Sequence, residues 1–470
     1  MRLLPLGGVI LALALGSAGT MAQAPRTVHG GDPRFKADIL VVVAHPDDEA
    51  GFTPYLARAI YDQHKRVVVV YGTRGGSGGN NYGREHGAAL ANIREMEARE
   101  ACAKLGITNV WFLDGKDTAS QNVLNSLASW GHGTNLEKLV GLVRLTRPEV
   151  ILAQFPGVFY GENHGDHQAA GVLATEAFDL AGNPAIFPAQ VAGDAKRNEQ
   201  FLENLQPWQA KKLYYSSEES DAKKAAGYGP TYSIREISAS QKKPYWRLAL
   251  DAATPHLTQF PQEIQGLSKM SDAELEKMMS DPNNAWWPEP FPLTFGKSTV
   301  GGTPTEDVFA HTEETPKRVL PGTATSCGHG EASGSALPRL ELGGPWKFYS
   351  EFYPMEGLCH LPVAEQPEIE IKAGTTLVVP LVLLHDPAKE AKFTLTVKAP
   401  AGWTVKSGAG EVTLPAEPET TLRIEIETPG AGTGSDWKAP QDVMVSAECG
   451  SKAAGEVTLR VKLAANALPE

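Results

Sequence analysis

Short apolar runs that alternate with longer helical patterns place the strongest constraint on the fold of this chain. Four short runs are mostly apolar and predict strands, namely residues 39–43, 66–71, 109–113 and 149–155. The segments with amphipathic helical spacing are residues 50–64, 84–105, 135–146 and 166–180. Apolar strands separated by helices indicate a mostly parallel sheet covered on both faces. We therefore predict an α/β unit with a Rossmann-like sheet.

The pattern changes to a period of two from Glu368 onward. Short runs of alternating apolar and polar residues follow one another, separated by Pro- and Gly-containing turns. Several such strands within about one hundred residues are typical of an all-β sandwich. Because residues 281–350 are rich in Pro, Gly and Trp, we expect them to end the first unit and form a linker. The predicted units are therefore an α/β domain with its C-terminal extension at 37–345 and an immunoglobulin-like sandwich at 365–465.

The first residues have the pattern of an export signal. A basic residue at position 2 precedes an apolar stretch and then a tail of small residues up to Ala24. The apolar stretch is short compared with the ~20 residues that cross a bilayer, although a membrane anchor is the alternative. We expect a signal peptide at residues 1–24, a secreted or periplasmic mature protein, and no transmembrane segment after cleavage.

The net charge and the cysteine content limit the partners and the disulfide bonds that we expect for this chain. The net charge of -12 argues against nucleic acid and anionic membranes as partners. Four cysteines are few for a disulfide scaffold, but export permits bridges. Cys102 lies in a helical pattern and is predicted to be a buried free thiol. One pair among Cys327, Cys359 and Cys449 could be bridged, and the sequence does not choose between them.

Polar loops follow each of the four predicted strands, so they emerge at one edge of the sheet. In parallel sheets, ligands collect beyond the carboxyl ends of the strands. The first loop contains the sequence His45-Pro46-Asp47-Asp48-Glu49, and the fourth contains His164-Gly165-Asp166-His167. Two motifs that are far apart in the sequence are therefore expected to meet at this edge.

These motifs supply ligands for one divalent metal ion. Pro46 forces a turn, so His45 and Asp48 can coordinate a single ion. His167 is the expected third ligand. Two imidazoles and a carboxylate suit zinc and leave a position open for water, and Fe²⁺ accepts the same set. Zn²⁺ is the preferred ion.

The remaining polar groups of the motifs are suited to proton transfer. Asp47 can accept a proton from metal-bound water, whose pKa the ion lowers. His164 can donate a hydrogen bond to the developing oxyanion and then pass a proton to the leaving amine. Asp166 is expected to keep this imidazole charged, because a nearby carboxylate raises the pKa of a histidine.

The two motifs also allow other interpretations. Asp47 or Asp48 could simply cap the following helix. The ligand set also occurs in non-heme Fe(II) oxygenases, although those sites usually lie on double-stranded β folds. A non-catalytic metal-containing protein that binds glycans is a further alternative, but mere binding would not require Asp47.

The motifs, taken in order along the chain, resemble those of the PIG-L/LmbE family over about residues 37–260. The resemblance rests on Ala44 to Glu49 after the first strand, a Thr/Gly-rich loop after the second, residues 93–97 before Leu105-Gly106, and the His-x-Asp-His sequence. It implies an LmbE-like fold and metal-dependent removal of acetyl groups from N-acetylglucosamine-containing substrates.

The resemblance also implies a role for individual residues. It makes Asp47 the general base and makes His164 with Asp166 the pair that handles the oxyanion and the proton. The metal ligands it implies are His45, Asp48 and His167, and the residues it suggests for substrate binding are Arg94, Asp117 and Tyr160. Arg94 could instead form a salt bridge with Glu97 or Glu49. Tyr160 stands in an uncertain register relative to the family's tyrosine.

Overall fold

The strands between residues 39 and 298 form one seven-stranded sheet. The computed structural model describes residues 32–157, 164–191, 205–216, 227–267, 269–281, 285–319, 337–362, 366–430 and 439–463. The strands of this sheet are β1 (Ile39–Val43), β2 (Val67–Tyr71), β3 (Asn109–Phe112), β4 (Val150–Ala153), β5 (Lys212–Ser216), β6 (Thr231–Tyr232) and β7 (Phe291–Ser298). Their order is β3-β2-β1-β4-β5-β7-β6. The first five are parallel, whereas β7 runs antiparallel to β5, and β6 antiparallel to β7.

Helices cover both faces of this sheet, as the apolar strands require. They are α1 (Thr53–Tyr61), α2 (Ala88–Lys104), α3 (Val123–Trp130), α4 (His132–Thr146), α5 (Gly165–Leu180), α6 (Tyr245–Ala253), α7 (Pro261–Leu267), α8 (Asp272–Met279) and α9 (Pro345–Met355). Successive residues of β1 enter different cores: Leu40 and Val42 pack with α3, α4 and α5, while Val41 packs with α1, α2 and α6. The strand is buried on both faces, so its pattern is continuous rather than alternating.

The predicted α/β architecture is confirmed, and the differences have local causes. All four predicted strands and four predicted helices are present. Ser271 and Glu274 form the capping box that opens α8. Strand β7 was missed because Pro292 and Gly296 interrupt its pattern, and the sheet tolerates this proline on a strand that pairs only briefly with β6. Helix α3 was missed because it is short.

The C-terminal residues form two packed sheets, which confirms the predicted all-β unit. One sheet has the order β12-β14-β10-β8 and the other β13-β11-β15-β16-β9. Their strands are β8 (Arg339–Leu342), β9 (Glu368–Ile371), β10 (Thr376–Leu384), β11 (Ala391–Lys398), β12 (Thr404–Ser407), β13 (Gly410–Leu414), β14 (Glu419–Glu427), β15 (Gln441–Cys449) and β16 (Lys452–Leu463). Alternate residues such as Leu395 and Ile424 form the core between the sheets. Strand β8 lies ahead of residue 365, where the sandwich was expected to begin.

The sandwich contacts the α/β unit beside the loop that follows β3. The side-chain amide of Gln121 donates to the carbonyl oxygen of Glu370 in β9 at 2.7 Å and accepts from its backbone N–H at 3.2 Å. In α9, the hydroxyl of Tyr349 donates to the side-chain carbonyl of Gln168 in α5. These contacts hold the sandwich against the edge of the sheet where the motif loops emerge.

The described cysteines and helices test two further expectations. Cys102 is a buried free thiol, as predicted, and Cys449 is also free. Cys359 is disulfide-bonded. No helix within the described ranges has the length and apolarity needed to cross a membrane. Residues 1–31, including the expected signal peptide, lie outside the described residues.

Candidate metal centre

The order of the strands creates a crevice between β1 and β4. From β1 the chain continues to β2 on one side, and from β4 it continues to β5 on the other. The loops that follow β1 and β4 therefore diverge, and ligands bind at such a switch point in parallel sheets. The two motifs emerge into this crevice, so the predicted meeting of the two loops is confirmed.

The loop after β1 is folded by its own motif. The backbone N–H of His45 donates to Oδ2 of Asp48 at 2.6 Å, and the N–H of Asp48 donates to the carbonyl of His45 at 3.2 Å. Asp47, between them, has a φ of 107°. Such left-handed conformations cost a non-glycine residue about 1–3 kcal/mol and are concentrated at functional sites.

Asp48 lies between the imidazoles of the two motifs. Its Oδ2 atom is 3.3 Å from Nδ1 of His45, and its Oδ1 atom is 3.3 Å from Nε2 of His167. The ring nitrogens of His45, His164 and His167 form a group close enough to share one metal ion, all within 4.8 Å of one another. The three predicted ligands are thus brought together, with His164 as a fourth donor beside them.

The donor set fits a divalent cation, as the surroundings of His45 show. While Nδ1 of His45 faces Asp48, its Nε2 atom lies 3.1 Å from Oδ1 of Asp117 and 3.3 Å from Oδ2 of Asp166. Metal-bound histidines typically donate their second ring N–H to a carboxylate in this way. Three carboxylates around one buried imidazole also leave negative charge that a cation would neutralise.

The neighbouring charged groups shift the pKa values of both His45 and Asp48. Burial lowers the pKa of His45, but hydrogen bonds with Asp117, Asp166 and Asp48 outweigh burial and raise this pKa well above its usual value. Burial raises the pKa of Asp48, but the charge and hydrogen bond of His167, with the hydrogen bond of His45, bring it well below the usual value.

Asp47 has the surroundings of a base rather than of a helix cap. Its side chain makes no hydrogen bond to the short turn that follows, which argues against the capping alternative. Burial, followed by the charge of Asp48, raises the pKa of Asp47 to about 8. A carboxylate whose pKa lies near neutrality is suited to accept and release a proton.

His164 is oriented by the backbone of the loop that follows β3. Its Nε2 atom lies 2.9 Å from the carbonyl oxygen of Thr118. Because a carbonyl only accepts, Nε2 carries the hydrogen and Nδ1 is left as the acceptor of the neutral ring. Burial, and then the charges of His45 and His167, lower the pKa of His164. The structure therefore does not support the expected charged resting state of His164.

Asp166 explains this difference. Its Oδ2 atom contacts His45, and its carboxylate accepts hydrogen bonds from the backbone N–H of Thr118 at 2.9 Å and from the Thr118 hydroxyl at 2.6 Å. Burial raises the pKa of Asp166, but the hydrogen bond and charge of His45 outweigh burial and leave this pKa below its usual value. This carboxylate orients the predicted metal ligand His45.

Arg94 holds the glycine-rich loop after β2. Its buried guanidinium donates to the carbonyl oxygens of Gly75 at 2.9 Å and Gly79 at 2.8 Å. Gly75 has a φ of 67°, and a Cβ atom at Gly78 would lie 2.6 Å from this guanidinium, so the loop requires glycine at both places. Neither of the salt bridges considered from the sequence is needed to explain Arg94. Its contact with substrate stays a prediction.

Asp117 joins the glycine-rich loop to the metal centre. One carboxylate oxygen faces His45, while the other accepts a hydrogen bond from the backbone N–H of Ser77 at 2.6 Å. The hydroxyl of Ser77 donates to the backbone carbonyl of Asp117 at 2.8 Å. Contact of Asp117 with sugar hydroxyls stays a prediction, and Tyr160 lies outside the described residues.

Two further polar residues behind the site were not anticipated. Glu49 accepts a hydrogen bond from the backbone N–H of Asp47 at 3.0 Å, and its other oxygen lies 2.6 Å from Nε2 of His256. The presence of Glu49 in the first motif was a signal for its role. His256 carried no such signal, because nothing in its local sequence indicates its distant partner.

Comparison with known proteins finds similarity to one family over part of this region. Residues 40–178 match the PIG-L family, described as GlcNAc-PI de-N-acetylase. A 1D-myo-inositol 2-acetamido-2-deoxy-alpha-D-glucopyranoside deacetylase 1 from Frankia alni is 33% identical over 187 residues, which make up 36% of this chain and 59% of that protein. The chain thus covers less than two thirds of this relative.

Two further similarities concern enzymes named for another sugar. A diacetylchitobiose deacetylase from Thermococcus kodakarensis is 26% identical over 228 residues, or 48% of this chain and 71% of that protein. The solved structure of an N,N'-diacetylchitobiose deacetylase from Pyrococcus horikoshii matches with a TM-score of 0.37 and 20% identity, and the match covers 53% of this chain and 78% of that one.

Proposed function

Residues 40–178 form a PIG-L family domain, and from that premise we propose that the protein is a metal-dependent hydrolase that removes N-acetyl groups from amino sugars. The observation that carries the proposal is the position of Asp48 between His45 and His167, with the carboxylate of Asp47 next to it in the same loop. The products are acetate and a free amine.

Zinc is the cation we propose, held by His45, Asp48 and His167. When bound, the cation supplies a Lewis acid that polarises the acetyl carbonyl and lowers the pKa of water. Two imidazoles and one carboxylate are ordinary zinc donors, and three protein ligands leave room for water and substrate. Asp117 and Asp166 hold the ring of His45 in place from its Nε2 side.

The chain's own groups handle the protons. Asp47 accepts the proton from the attacking water, and its raised pKa allows it to hold that proton during the reaction. Nδ1 of His164 is the ring nitrogen that does not contact the Thr118 carbonyl. It takes up a proton from solvent and passes it to the leaving amine, while the proton held by Asp47 is later released to solvent. The carbonyl of Thr118 stabilises the charged ring once His164 is protonated.

The substrate we propose is an N-acetylglucosamine-type sugar or glycoconjugate. The relatives found by comparison are named for an acetamido-glucopyranoside and for diacetylchitobiose, and both contain an N-acetylated glucosamine. The signal-like pattern at residues 1–24 supports a secreted or periplasmic setting, in which glycan polymers are available.

Acetate release tests this function directly. The zinc-loaded protein is incubated with N-acetylglucosamine, diacetylchitobiose and N-acetylated cell-wall fragments, and acetate and free amine are measured. We expect equal amounts of both products. The variant Asp47→Asn should lose about 100- to 10,000-fold in kcat while keeping its metal.

A matched control is Asp114→Asn. Asp114 is an exposed carboxylate at the same edge of the sheet and also has a positive φ of 62°. We expect this variant to keep full activity. No acetate from any substrate, together with oxygen consumption by the iron-loaded protein, would replace the hydrolase proposal with an oxygenase.

A further inference from the structure

A short segment outside the family match reaches the back of the catalytic loop. Residues 256–259 connect α6 to α7, and we call them the 256–259 segment. In this segment, Nε2 of His256 lies 2.6 Å from Oε1 of Glu49, and both side chains are buried. The side-chain amide of Gln259 donates to the carbonyl oxygen of Pro46. Both contacts end on the loop that carries Asp47.

The same segment is fixed to two other parts of the site. The backbone N–H and the hydroxyl of Thr258 donate to the carboxylate of Glu97 in α2, at 2.9 and 2.6 Å. The carbonyl oxygen of Thr258 accepts the backbone N–H of Asn81, in the glycine-rich loop, at 2.9 Å. The 256–259 segment is therefore anchored on three sides and offers a rigid support.

Glu49 transmits this support to the base. The carboxylate of Glu49 accepts from His256 with one oxygen and from the backbone N–H of Asp47 with the other, at 3.0 Å. Asp47 needs such a restraint, since its φ of 107° is one that residues with a side chain rarely adopt. A carboxylate held from behind in this way fixes the direction in which the Asp47 side chain leaves the loop.

A purely structural role explains the pair of His256 and Glu49 less well than a role in positioning Asp47. Replacing a whole buried ion pair with well-packed apolar residues of similar size is often neutral or even stabilising. Packing alone would therefore not require His256 and Glu49 at this place. The geometry of the pair, which ends on the N–H of Asp47, is explained by a requirement at that residue.

We propose that His256 is a positioning residue that, through Glu49, holds Asp47 in its left-handed conformation for proton transfer. This inference rests on the proposed function for its kinetic consequence, but its structural consequence can be observed without any substrate.

Substitutions at His256 separate positioning from folding. Gln places an amide N–H where Nε2 stood, whereas Asn is equally polar but too short to reach Glu49. We expect His256→Asn and His256→Leu to lose about 10- to 100-fold in kcat, as is typical when a supporting hydrogen bond is removed. KM and metal content should stay within about twofold of wild type, since no metal ligand is touched. His256→Gln should recover most of the activity.

The control is His132→Leu. His132 and Glu176 form a pair with the same 2.6 Å distance, but it joins α4 to α5 away from Asp47. We expect wild-type kcat from this variant. Crystal structures of the His256→Gln and His256→Asn variants should show Asp47 with positive φ in the first and displaced in the second.

The outcomes are distinct. Equal kcat for the Gln and Asn variants with Asp47 unmoved overturns the inference, and so does loss of metal from either. If the wild type releases no acetate, the proposed function fails, and the conformation of Asp47 in the two crystal structures still decides the inference.

Discussion

Nε2 of His164 lies 2.9 Å from the carbonyl oxygen of Thr118. The contact fixes which nitrogen carries the hydrogen, because the carbonyl cannot donate. The ring of His45 stacks on the ring of His164 at a centroid distance of 4.8 Å. His164 is thereby prepared to accept a proton rather than to hold one at rest.

The orientation of His164 predicts a specific tautomer. In the protein at neutral pH, ¹⁵N NMR of His164 should show a protonated Nε2 and an unprotonated Nδ1. His164→Ala should lower kcat by about 100- to 10,000-fold, because it removes the group that exchanges the leaving-group proton. A resting imidazolium at pH 7 would contradict this assignment.

Metal content tests the ligand set. Asp48→Ala and His167→Ala should each lose most of the bound zinc, since each removes one of three donors from a single centre. Elemental analysis of the purified proteins measures the metal per chain. Asp47→Asn is the internal control, and an unchanged zinc content in His167→Ala would mean that another residue completes the site.

Removing Arg94 should loosen the glycine-rich loop. Arg94→Leu leaves the carbonyls of Gly75 and Gly79 without their donor and should cost about 2 kcal/mol of folding free energy. We also expect a raised KM and faster proteolysis within residues 73–87. The control is Arg84→Leu, at an exposed arginine of the same loop, and it should change neither KM nor the rate of proteolysis. Equal proteolysis of the two variants would contradict the role of Arg94 in holding the loop.

The buried pair of His256 and Glu49 predicts a pH dependence of stability. Burial lowers the pKa of His256, but the charge and hydrogen bond of Glu49 outweigh burial and raise this pKa to about 8. Because the folded pKa exceeds the unfolded value of 6.5, the pair stabilises the protein fully below pH 6.5 and loses this contribution as the pH rises through 8.

His256→Gln should remove this dependence. The difference in Tm between wild type and variant should shrink between pH 6.5 and 8.5, and thermal unfolding at several pH values measures it. The rise in the pKa of His256 from 6.5 to about 8 corresponds to a change of about 2 kcal/mol at most in the free energy of unfolding. A Tm difference that is constant over this range would show that His256 does not titrate with folding.

Much of the α/β unit could be predicted because its signals are local. The consecutive valines of β2 are all apolar, so they predict a strand buried on both faces whatever the rest of the fold is. Ser271 and Glu274 cap a helix through hydrogen bonds with backbone groups only three residues apart. Strand β7 gave no such signal, since its place in the sheet depends on pairing with β5 across the fold. The sandwich was predictable from the period of two, but the inclusion of β8 depends on its pairing with β10.

In the candidate site, too, some features could be predicted from local sequence and others depend on the tertiary structure. The sequence by itself predicted the residues of the candidate metal centre, because His45 and Asp48 share one turn and parallel strands bring His167 to the same edge. Only the tertiary structure decided what surrounds them: Asp166 turns to His45, and His256 supports Glu49 from a distant segment. The physical reason is that a hydrogen-bond partner is chosen by position in space, and sequence spacing constrains that position only within a turn or a single strand.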